Sequence, residues 1–357
     1  MRKLLVLMLL AALILPATVP LLAQEVPDLP ALDDLRRGWS ILEPGGETTC
    51  ARGTPYRFFV RNTGQTDKLM IYFQGGGACW NALTCREGGS FDPEVSYWSA
   101  EVGGYGGIFN VRNTSNPLRD YAVVFIPYCT GDVHLGDATV RYLGNRIQHR
   151  GAVNAQAALD WAFENFSAPT DVFVTGSSAG AYGAIYFTAD IAEQYPDARV
   201  VQLGDAGVGA TPTGWLVLEQ WGMYENLHDY LTPIDPAEFT INDLYDRTAE
   251  KFPNVVLSQF TNANDETQEL FYDFAGIRGG PSWQDLMYSN FETLEDTLEG
   301  FTSYVAGGTE HVILARDTLY TLTSDGVPFI DWLTALVSGD MPDSVRCVNC
   351  ARAEYRR

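Results

Sequence analysis

The sequence predicts an α/β protein in which helices flank a mostly parallel β-sheet. Two observations support this fold class: short apolar runs alternate with stretches of helical periodicity, and no internal repeat or long linker interrupts the alternation. Strands that alternate with helices form parallel sheets covered on both faces. The composition, with 46% hydrophobic and 19% charged residues, is that of an ordinary folded globule.

Each predicted strand is a short run rich in β-branched or aromatic residues. The runs cover residues 68–73, 121–127, 171–175, 199–203 and 254–260. Helical spacing of apolar residues predicts helices over residues 151–166 and 179–194. The stretches from about residue 209 to 253 and from 277 to 299 are aromatic and irregular, and we expect them to be cap-like insertions over a site.

The first residues have the pattern of a secretory signal peptide. Arg2 and Lys3 precede an uncharged apolar run over residues 4–15, and the following residues lead into the polar Gln24. Twelve apolar residues are fewer than the roughly 20 that span a bilayer, so we expect no stable membrane anchor, although an uncleaved anchor is the alternative. The prediction is a signal peptide over residues 1–23, a single domain over residues 24–357, and a secreted or periplasmic location.

All six cysteines follow the predicted signal peptide, which fits an oxidising compartment and structural disulfides. Six cysteines allow 15 pairings, so counting does not give the connectivity. Cys347 and Cys350 have CxxC spacing, but they lie at the C-terminal end and not at the start of a helix, which disfavours a redox role. Because no second cysteine pair or nearby histidine pair accompanies them, no metal site is expected.

The chain is strongly acidic, with a formal net charge of −22. Such a field repels nucleic acid and anionic membranes at long range, so neither is an expected partner. It also disfavours a strongly anionic polysaccharide, although an acidic surface often serves only solubility.

The segment Gly176-Ser177-Ser178-Ala179-Gly180 has the pattern Gly-x-Ser-x-Gly. It stands directly after a predicted strand and directly before a predicted helix, which is the context of a nucleophile elbow in an α/β-hydrolase. Small residues on both sides let the sharp turn pass close to its neighbours. The motif therefore predicts that Ser178 is the nucleophile of a serine hydrolase whose catalytic domain is the predicted 24–357 unit.

A serine nucleophile needs a base and an acid, which in this fold follow the serine in the order acid, then histidine. Of the four histidines, His311 satisfies this order best because it lies on a late loop before an apolar run. His134, on a loop after a strand end, is its competitor. Two acids that follow predicted strands, Asp265 and Asp205, are both candidates, and sequence order alone does not separate them.

An oxyanion hole needs two or three convergent backbone N–H groups. The residue after the nucleophile, Ala179, supplies one of them. The glycine-rich loop over residues 74–80 follows the predicted strand 68–73 and is the expected source of the others. A flexible turn is the alternative interpretation of this loop.

Four motifs occur in an order that resembles one known family. They are the triple glycine followed two residues later by Cys79, the elbow at Ser178, the segment 264–268 (Asn-Asp-Glu-Thr-Gln) and the loop 307–311 (Gly-Gly-Thr-Glu-His). The strand end over residues 126–134 is similar too. Together they resemble the pectin acetylesterase and Notum carboxylesterase family over roughly residues 50–311.

The resemblance implies an α/β-hydrolase fold, carboxylic-ester hydrolysis, secretion, structural disulfides and no metal or organic cofactor. Carried over residue by residue, it makes Ser178 the nucleophile, Asp265 the acid and His311 the base, and it favours Asp265 over Asp205. The same resemblance assigns the oxyanion hole and the disulfides. The residues concerned are Gly76, Gly77 and Ala179 for the hole, and Cys50–Cys129, Cys79–Cys85 and Cys347–Cys350 for the disulfides.

The expected substrate is an acetyl ester on a polysaccharide. The chain departs from plant members of the family, which carry Trp where Ala78 stands, and its histidine loop differs as well. Two alternatives follow: a lipase-like, peptidase or acyl-protein esterase with the same triad, and a non-enzymatic carbohydrate-binding relative. The second is suggested by the eight tryptophans and would be favoured by the loss of a triad member, but none is lost here.

Overall fold

The computed structural model describes residues 28–95, 106–210, 217–232, 235–276 and 279–356. The predicted signal peptide lies outside these residues. The strands, in chain order, are β1 (Gly38–Leu42), β2 (Phe58–Asn62), β3 (Lys68–Phe73), β4 (Ala122–Ile126), β5 (Ala138–Tyr142), β6 (Asn145–His149), β7 (Asp171–Ser177), β8 (Arg199–Asp205), β9 (Val256–Asn262), β10 (Phe301–Ala306), β11 (Leu322–Ser324), β12 (Val327–Pro328) and β13 (Glu354–Tyr355). The α-helices are α1 (Gly151–Asn165), α2 (Ala179–Gln194), α3 (Val217–Gln220), α4 (Ile241–Lys251), α5 (Glu266–Phe274), α6 (Trp283–Thr297) and α7 (Phe329–Ser338).

Eight strands form the central sheet in the order β1-β2-β4-β3-β7-β8-β9-β10. The strands from β4 across to β10 pair in parallel, and β1 and β2 add antiparallel pairs at one side. The register places the last residues of neighbouring strands side by side, with Ser177 of β7 opposite Asp205 of β8. Because parallel strands end at the same edge, the loops after β3, β7, β8, β9 and β10 lie together there.

Helices cover both faces of this sheet. On β3, Leu69, Ile71 and Phe73 join the larger apolar cluster, which includes buried residues of α1, α2, α4 and α6. Met70 and Tyr72, the alternate residues, join the cluster of the opposite face, which includes buried residues of α7. This alternation follows from the two-residue period of a strand, and it confirms the predicted α/β architecture.

The two stretches predicted to be irregular contain regular helices, so that part of the prediction is wrong. Within residues 277–299 the helix α6 buries Trp283, Met287, Phe291 and Leu294. These positions share one face of a helix, and capping by Ser282 starts it. Within residues 209–253, α4 begins with a similar capping box at Thr240.

Three disulfides join Cys50 to Cys129, Cys79 to Cys85, and Cys347 to Cys350. These are the pairs that the family resemblance implies. In the part of the chain that the structure describes, no helix is both long and apolar enough to cross a membrane.

Candidate active site

Ser178 occupies the turn between the end of β7 and the start of α2. Its φ of 57° is a backbone conformation that costs free energy for a residue with a side chain. The flanking glycines are required by close backbone contacts. A Cβ atom on Gly176 would lie 2.2 Å from the carbonyl oxygen of Gly180, and one on Gly180 would lie 2.0 Å from that of Phe73. The segment is therefore an elbow that presents Ser178 at the carboxyl edge of the sheet.

His311 and Asp265 form a hydrogen-bonded pair on two neighbouring loops at the same edge. Nδ1 of His311 lies 2.8 Å from Oδ2 of Asp265 and 3.0 Å from Oδ1. Since a carboxylate only accepts, Nδ1 carries a proton, and in the neutral ring Nε2 is then the nitrogen that can accept one. Nε2 is buried and has no hydrogen-bond partner among the described residues, while His311 and Ser178 line one cavity. The ring is thus in the tautomer that a general base needs.

Asp265 is fully buried and has a second role as the N-cap of α5. Its carboxylate accepts hydrogen bonds from the backbone N–H groups of Thr267 and Gln268, both at 3.0 Å, and from Nε2 of Gln268 at 2.9 Å. Donors to the charged form stabilise the carboxylate and hold its orientation toward His311. Gln268, which belongs to the motif 264–268 but has no role assigned from the sequence, therefore helps to fix the carboxylate of Asp265.

Two of the three residues expected to form the oxyanion hole, Gly77 and Ala179, line the cavity beside Ser178. Ala179 is the first residue of α2, so its N–H has no acceptor within the helix. Gly77 pairs with Phe91 in an antiparallel bridge. The flanking bonds, Ala78 N–H to Ser90 O and Asp92 N–H to Gly76 O, leave the Gly77 N–H pointing away from residue 91. The third expected residue, Gly76, is not among the residues that line the cavity, and its carbonyl accepts one of the bonds of that bridge.

The cavity has a volume of about 420 Å³ and mainly apolar walls. Gln220, Thr267 and Gln268 contribute polar groups to it. The aromatic part of the wall consists of Trp80, Tyr182, Trp221, Phe271, Tyr272 and Trp283. Two of these residues, Trp221 and Trp283, come from the segments expected to be insertions over the site.

His134, the competing base, is buried next to the glycine-rich loop. Its Nε2 lies 2.8 Å from the carbonyl oxygen of Gln74, to which it donates. The ring packs between Phe73 and Tyr128, and burial lowers the pKa of His134 to about 4. The histidine is therefore neutral and supports the loop that carries Gly77.

The other two histidines, His149 and His228, also contact residues outside the candidate site. His149 is buried, with Nδ1 2.9 Å from the carbonyl of Thr130 and Nε2 3.0 Å from the hydroxyl of Tyr142. Burial lowers the pKa of His149 to about 4. His228 stacks on Tyr230 and lies beside a different cavity.

Among the described residues, one group has side-chain atoms close enough together to ligate a metal ion: Cys79, Cys85 and His149. The two sulfur atoms are joined in a disulfide, so neither is a thiolate. Both ring nitrogens of His149 are hydrogen-bonded. This group is therefore a structural contact and not a metal site.

Asp205, the rival acid, does not contact the ring of His311. Its carboxylate accepts from Oγ of Ser177 at 2.7 Å and from the backbone N–H groups of Ile313 and Leu314, each at 3.0 Å. The hydroxyl of Tyr72 lies 2.9 Å from Oγ of Ser177 and extends the chain of hydrogen bonds. Sequence reasoning found Asp205 by its place after a strand but missed these partners.

Comparison with known proteins finds similarity to pectin acetylesterases and to Notum carboxylesterases. A model described as Pectinacetylesterase matches residues 41–212. The palmitoleoyl-protein carboxylesterase NOTUM of Homo sapiens is 28% identical over 171 residues, which cover 44% of this chain and 34% of that protein. Pectin acetylesterase 11 of Arabidopsis thaliana is 26% identical over 163 residues, which cover 44% of this chain and 42% of that protein. The chain thus matches about a third of the length of the NOTUM relative.

A solved structure, that of the Wnt deacylase Notum from Drosophila, has the same fold. The TM-score is 0.60, and the match covers 85% of this chain and 93% of that one. At 17% sequence identity this similarity shows that the strands and helices are arranged alike, and nothing beyond the fold.

Proposed function

We propose that the chain, which is similar to pectin acetylesterases and Notum carboxylesterases, is a serine carboxylesterase that removes acetyl groups from acetylated polysaccharide. The observation that carries the proposal is the meeting of Ser178 and the His311–Asp265 pair at one cavity. Acyl transfer from an ester needs a nucleophile and a base in the correct tautomer, and this cavity offers both.

In the proposed reaction, Nε2 of His311 takes the proton of the Ser178 hydroxyl as Oγ attacks the ester carbonyl carbon. The negative charge that develops on the carbonyl oxygen is stabilised by the N–H groups of Gly77 and Ala179. His311 then gives the proton to the departing alcohol oxygen, and the C–O bond breaks to leave an acyl-enzyme. Water repeats the sequence, releasing the acid and restoring Ser178.

Asp265 supports both halves of this cycle. When His311 is protonated, the carboxylate stabilises the imidazolium across the 2.8 Å contact, and between steps it holds the ring in one orientation. Since Asp265 is fully buried, water does not screen this interaction.

We also propose that the protein acts outside the cytoplasm, as a secreted or periplasmic enzyme. The predicted signal peptide and the three disulfides support this location. The proposed catalytic domain is residues 24–357, and the proposed partner is an ester-bearing substrate with no nucleic acid or membrane involved.

The cavity supports a second candidate, an esterase for a longer acyl chain. Its volume of about 420 Å³ lies within the range of pockets that hold ligands of drug size, roughly 300–1,000 Å³, and far exceeds the need of an acetyl group. Its aromatic walls suit an alkyl chain as well as a sugar ring. The related human protein is named as a palmitoleoyl-protein carboxylesterase.

An acyl-chain series separates these candidates. We would measure kcat/KM for p-nitrophenyl esters from acetyl to palmitoyl, and acetate release from acetylated xylan and from pectin. The acetyl-polysaccharide proposal predicts the highest kcat/KM at two to four carbons together with acetate release. A maximum at eight or more carbons without acetate release would favour the second candidate.

Ser178→Ala is the control for the chemistry. It should lower turnover of every ester by about 10⁴-fold or more, as expected for the loss of a triad nucleophile. The melting temperature should stay close to that of the wild type, because the hydroxyl adds little packing. Turnover near the wild-type rate in this variant would refute the mechanism.

A further inference from the structure

Asp205 is a buried carboxylate that the proposed mechanism does not use. It is the last residue of β8 and is 0% exposed. Besides its side-chain contacts, its backbone carbonyl accepts a hydrogen bond of 2.7 Å from the N–H of Ser178. One residue thus contacts the nucleophile elbow through both its main chain and its side chain.

The donors that reach the Asp205 carboxylate are neighbours of catalytic residues. Ser177 precedes Ser178 directly, and Ile313 and Leu314 follow His311 by two and three positions. The base loop and the elbow are therefore joined through a single carboxyl group. Asp265 contacts the same loop through the His311 ring.

The backbone around this connection is strained. Ala206 and Val312, which follow Asp205 and His311, have φ angles of 58° and 59°. Residues with a Cβ adopt such angles only when the surroundings hold them. The backbone N–H groups of Ile313 and Leu314, directly after Val312, donate to Asp205 and so hold the strained backbone in place.

Burying the carboxyl group of Asp205 costs free energy, which favourable interactions must offset. Burial raises the pKa of Asp205, while hydrogen bonds from Leu314, Ser177 and Ile313 and the charge of His311 act against this rise. A buried carboxyl group is destabilising unless it is well bonded, and such groups concentrate at functional sites. An apolar residue at this position would leave two loop N–H groups without an acceptor.

We propose that Asp205 is a positioning residue that sets the separation of His311 from Ser178. The inference rests on the proposed esterase function. Asp265 orients the imidazole ring, and Asp205 places the loop that carries it relative to the elbow. Because a displacement of about 1 Å in a catalytic group can lower a rate about 10²-fold, loss of this connection should reduce kcat with little change in KM.

The test compares two variants that break the connection with one that does not. Asp205→Asn keeps the volume but replaces one acceptor oxygen with a donor that faces the loop N–H groups. Ser177→Ala removes the side-chain bond to the elbow. The matched control is Thr175→Val on the same strand, which removes an equally buried bond from Oγ1 to the carbonyl of Leu203, 2.6 Å long, and leaves the base loop untouched.

We expect Asp205→Asn to lower kcat by about 10- to 100-fold, Ser177→Ala by about 5-fold, and Thr175→Val by less than about 2-fold, with KM within about 3-fold in all three. A fluorophosphonate that labels Ser178 to completion corrects each kcat for the folded fraction. Amide exchange at Ile313 and Leu314 should accelerate at least 10-fold in Asp205→Asn only.

A kcat within about 3-fold of the wild type in folded Asp205→Asn, or an equal loss in Thr175→Val, would overturn the inference. If Asp205→Asn does not fold, Ser177→Ala decides: a loss of about 5-fold supports the inference and a loss below 2-fold overturns it. Absence of wild-type turnover on every ester would instead contradict the proposed function. Amide exchange then still tests Asp205, since protection unchanged by Asp205→Asn would exclude its hold on the loop.

Discussion

Strained backbone is concentrated around the candidate site. Seven described non-glycine residues have positive φ angles, and five of them lie at the elbow, the strand ends or the two histidine loops. These five are Val133, His134, Ser178, Ala206 and Val312. Such conformations persist only where the surrounding hydrogen bonds and packing hold them in place. Their clustering therefore indicates that the backbone around the candidate site is held rigidly.

At the scale of single residues, we predict that His311 and His134 respond differently to truncation. His311→Ala should lower kcat by about 10⁴-fold, because it removes the group that accepts the Ser178 proton. His134→Ala should leave most of kcat, because its ring is buried and neutral and its Nε2 donates to the carbonyl of Gln74.

The measurement is kcat for both variants on one ester, with the melting temperature of each. His134→Ala should melt at a lower temperature, because it creates a cavity and removes a hydrogen bond to the carbonyl of Gln74. If His134→Ala loses more kcat than His311→Ala, the base has been assigned to the wrong histidine.

Among the structural elements, two short disulfide loops adjoin the catalytic groups. Cys79 follows Gly77 by two residues, and its carbonyl accepts a bond from the indole N–H of Trp221 on the cavity wall. The carbonyl of Cys350 accepts from the N–H of Gly308 at 3.0 Å and from Nδ2 of Asn264 at 2.7 Å. The second loop therefore ties the acid loop to the base loop.

We predict that the Cys50–Cys129 disulfide contributes more to stability and the Cys79–Cys85 disulfide more to activity. Cys50 and Cys129 are 79 residues apart, so chain entropy predicts a stabilisation of about 4.5 kcal/mol, against about 2 kcal/mol for the six-residue separation of Cys79 and Cys85. Replacing the first pair with alanine should cost more unfolding free energy, whereas replacing the second should cost more kcat.

Urea unfolding and ester kinetics on the two double variants provide the comparison. Peptide mapping of the oxidised wild type is the control for connectivity. A free thiol at Cys79 in that map, or an unchanged kcat after loss of the Cys79–Cys85 pair, would contradict the role given to this loop.

At the scale of the whole molecule, buried ionisable groups make stability depend on pH. The pKa of His149 falls from 6.5 to about 4 on folding, so the unfolded chain binds more protons in that interval. Stability supplied by the neutral ring is complete above about pH 6.5 and is lost as the pH falls toward 4. Burial raises the pKa of Asp132 to about 7, which has the opposite sign, because the folded state then binds more protons between about pH 4 and 7.

We predict that the unfolding free energy of the wild type minus that of His149→Gln decreases by about 3 kcal/mol between pH 7 and pH 4. The same difference for Asp132→Asn should increase over this interval, which provides a control of opposite sign. Urea unfolding at four pH values measures both. Parallel pH curves for the wild type and His149→Gln would show that His149 is not buried in its neutral form.

The net charge of −22 leads to a prediction about polymeric substrates. Repulsion between the acidic protein and an anionic pectin should slow their approach, and salt screens it because the Debye length shortens to about 10 Å at 0.1 M. Acetate release from pectin should therefore rise from low to moderate ionic strength, while release from neutral acetylated xylan should stay nearly constant. Fast release from pectin at low salt that falls on adding salt would contradict this account.

Some elements could be predicted because their signals are local. Strand β3 and helix α2 have the predicted boundaries, since each is a continuous run of one periodicity ended by glycine or polar residues. The sequence pattern does not predict strand β10, because polar residues occupy buried positions in it. Thr302 and Ser303 are buried there, and their hydroxyls are satisfied by Pro342 O and the Glu295 carboxylate.

The sequence by itself determined the parallel sheet, the turn at Ser178 and the chain order of the proposed catalytic residues, because periodicity, glycine spacing and chain order are properties of neighbouring positions. Chain order left Asp205 and Asp265 open and the family resemblance favoured Asp265, but only the tertiary structure shows which carboxylate faces the imidazole. Asp265 and His311 are 46 positions apart, and Asp205 reaches a loop 108 positions away. Contacts of this length depend on the register of β8, β9 and β10, which backbone pairing across the whole sheet sets and no local pattern encodes.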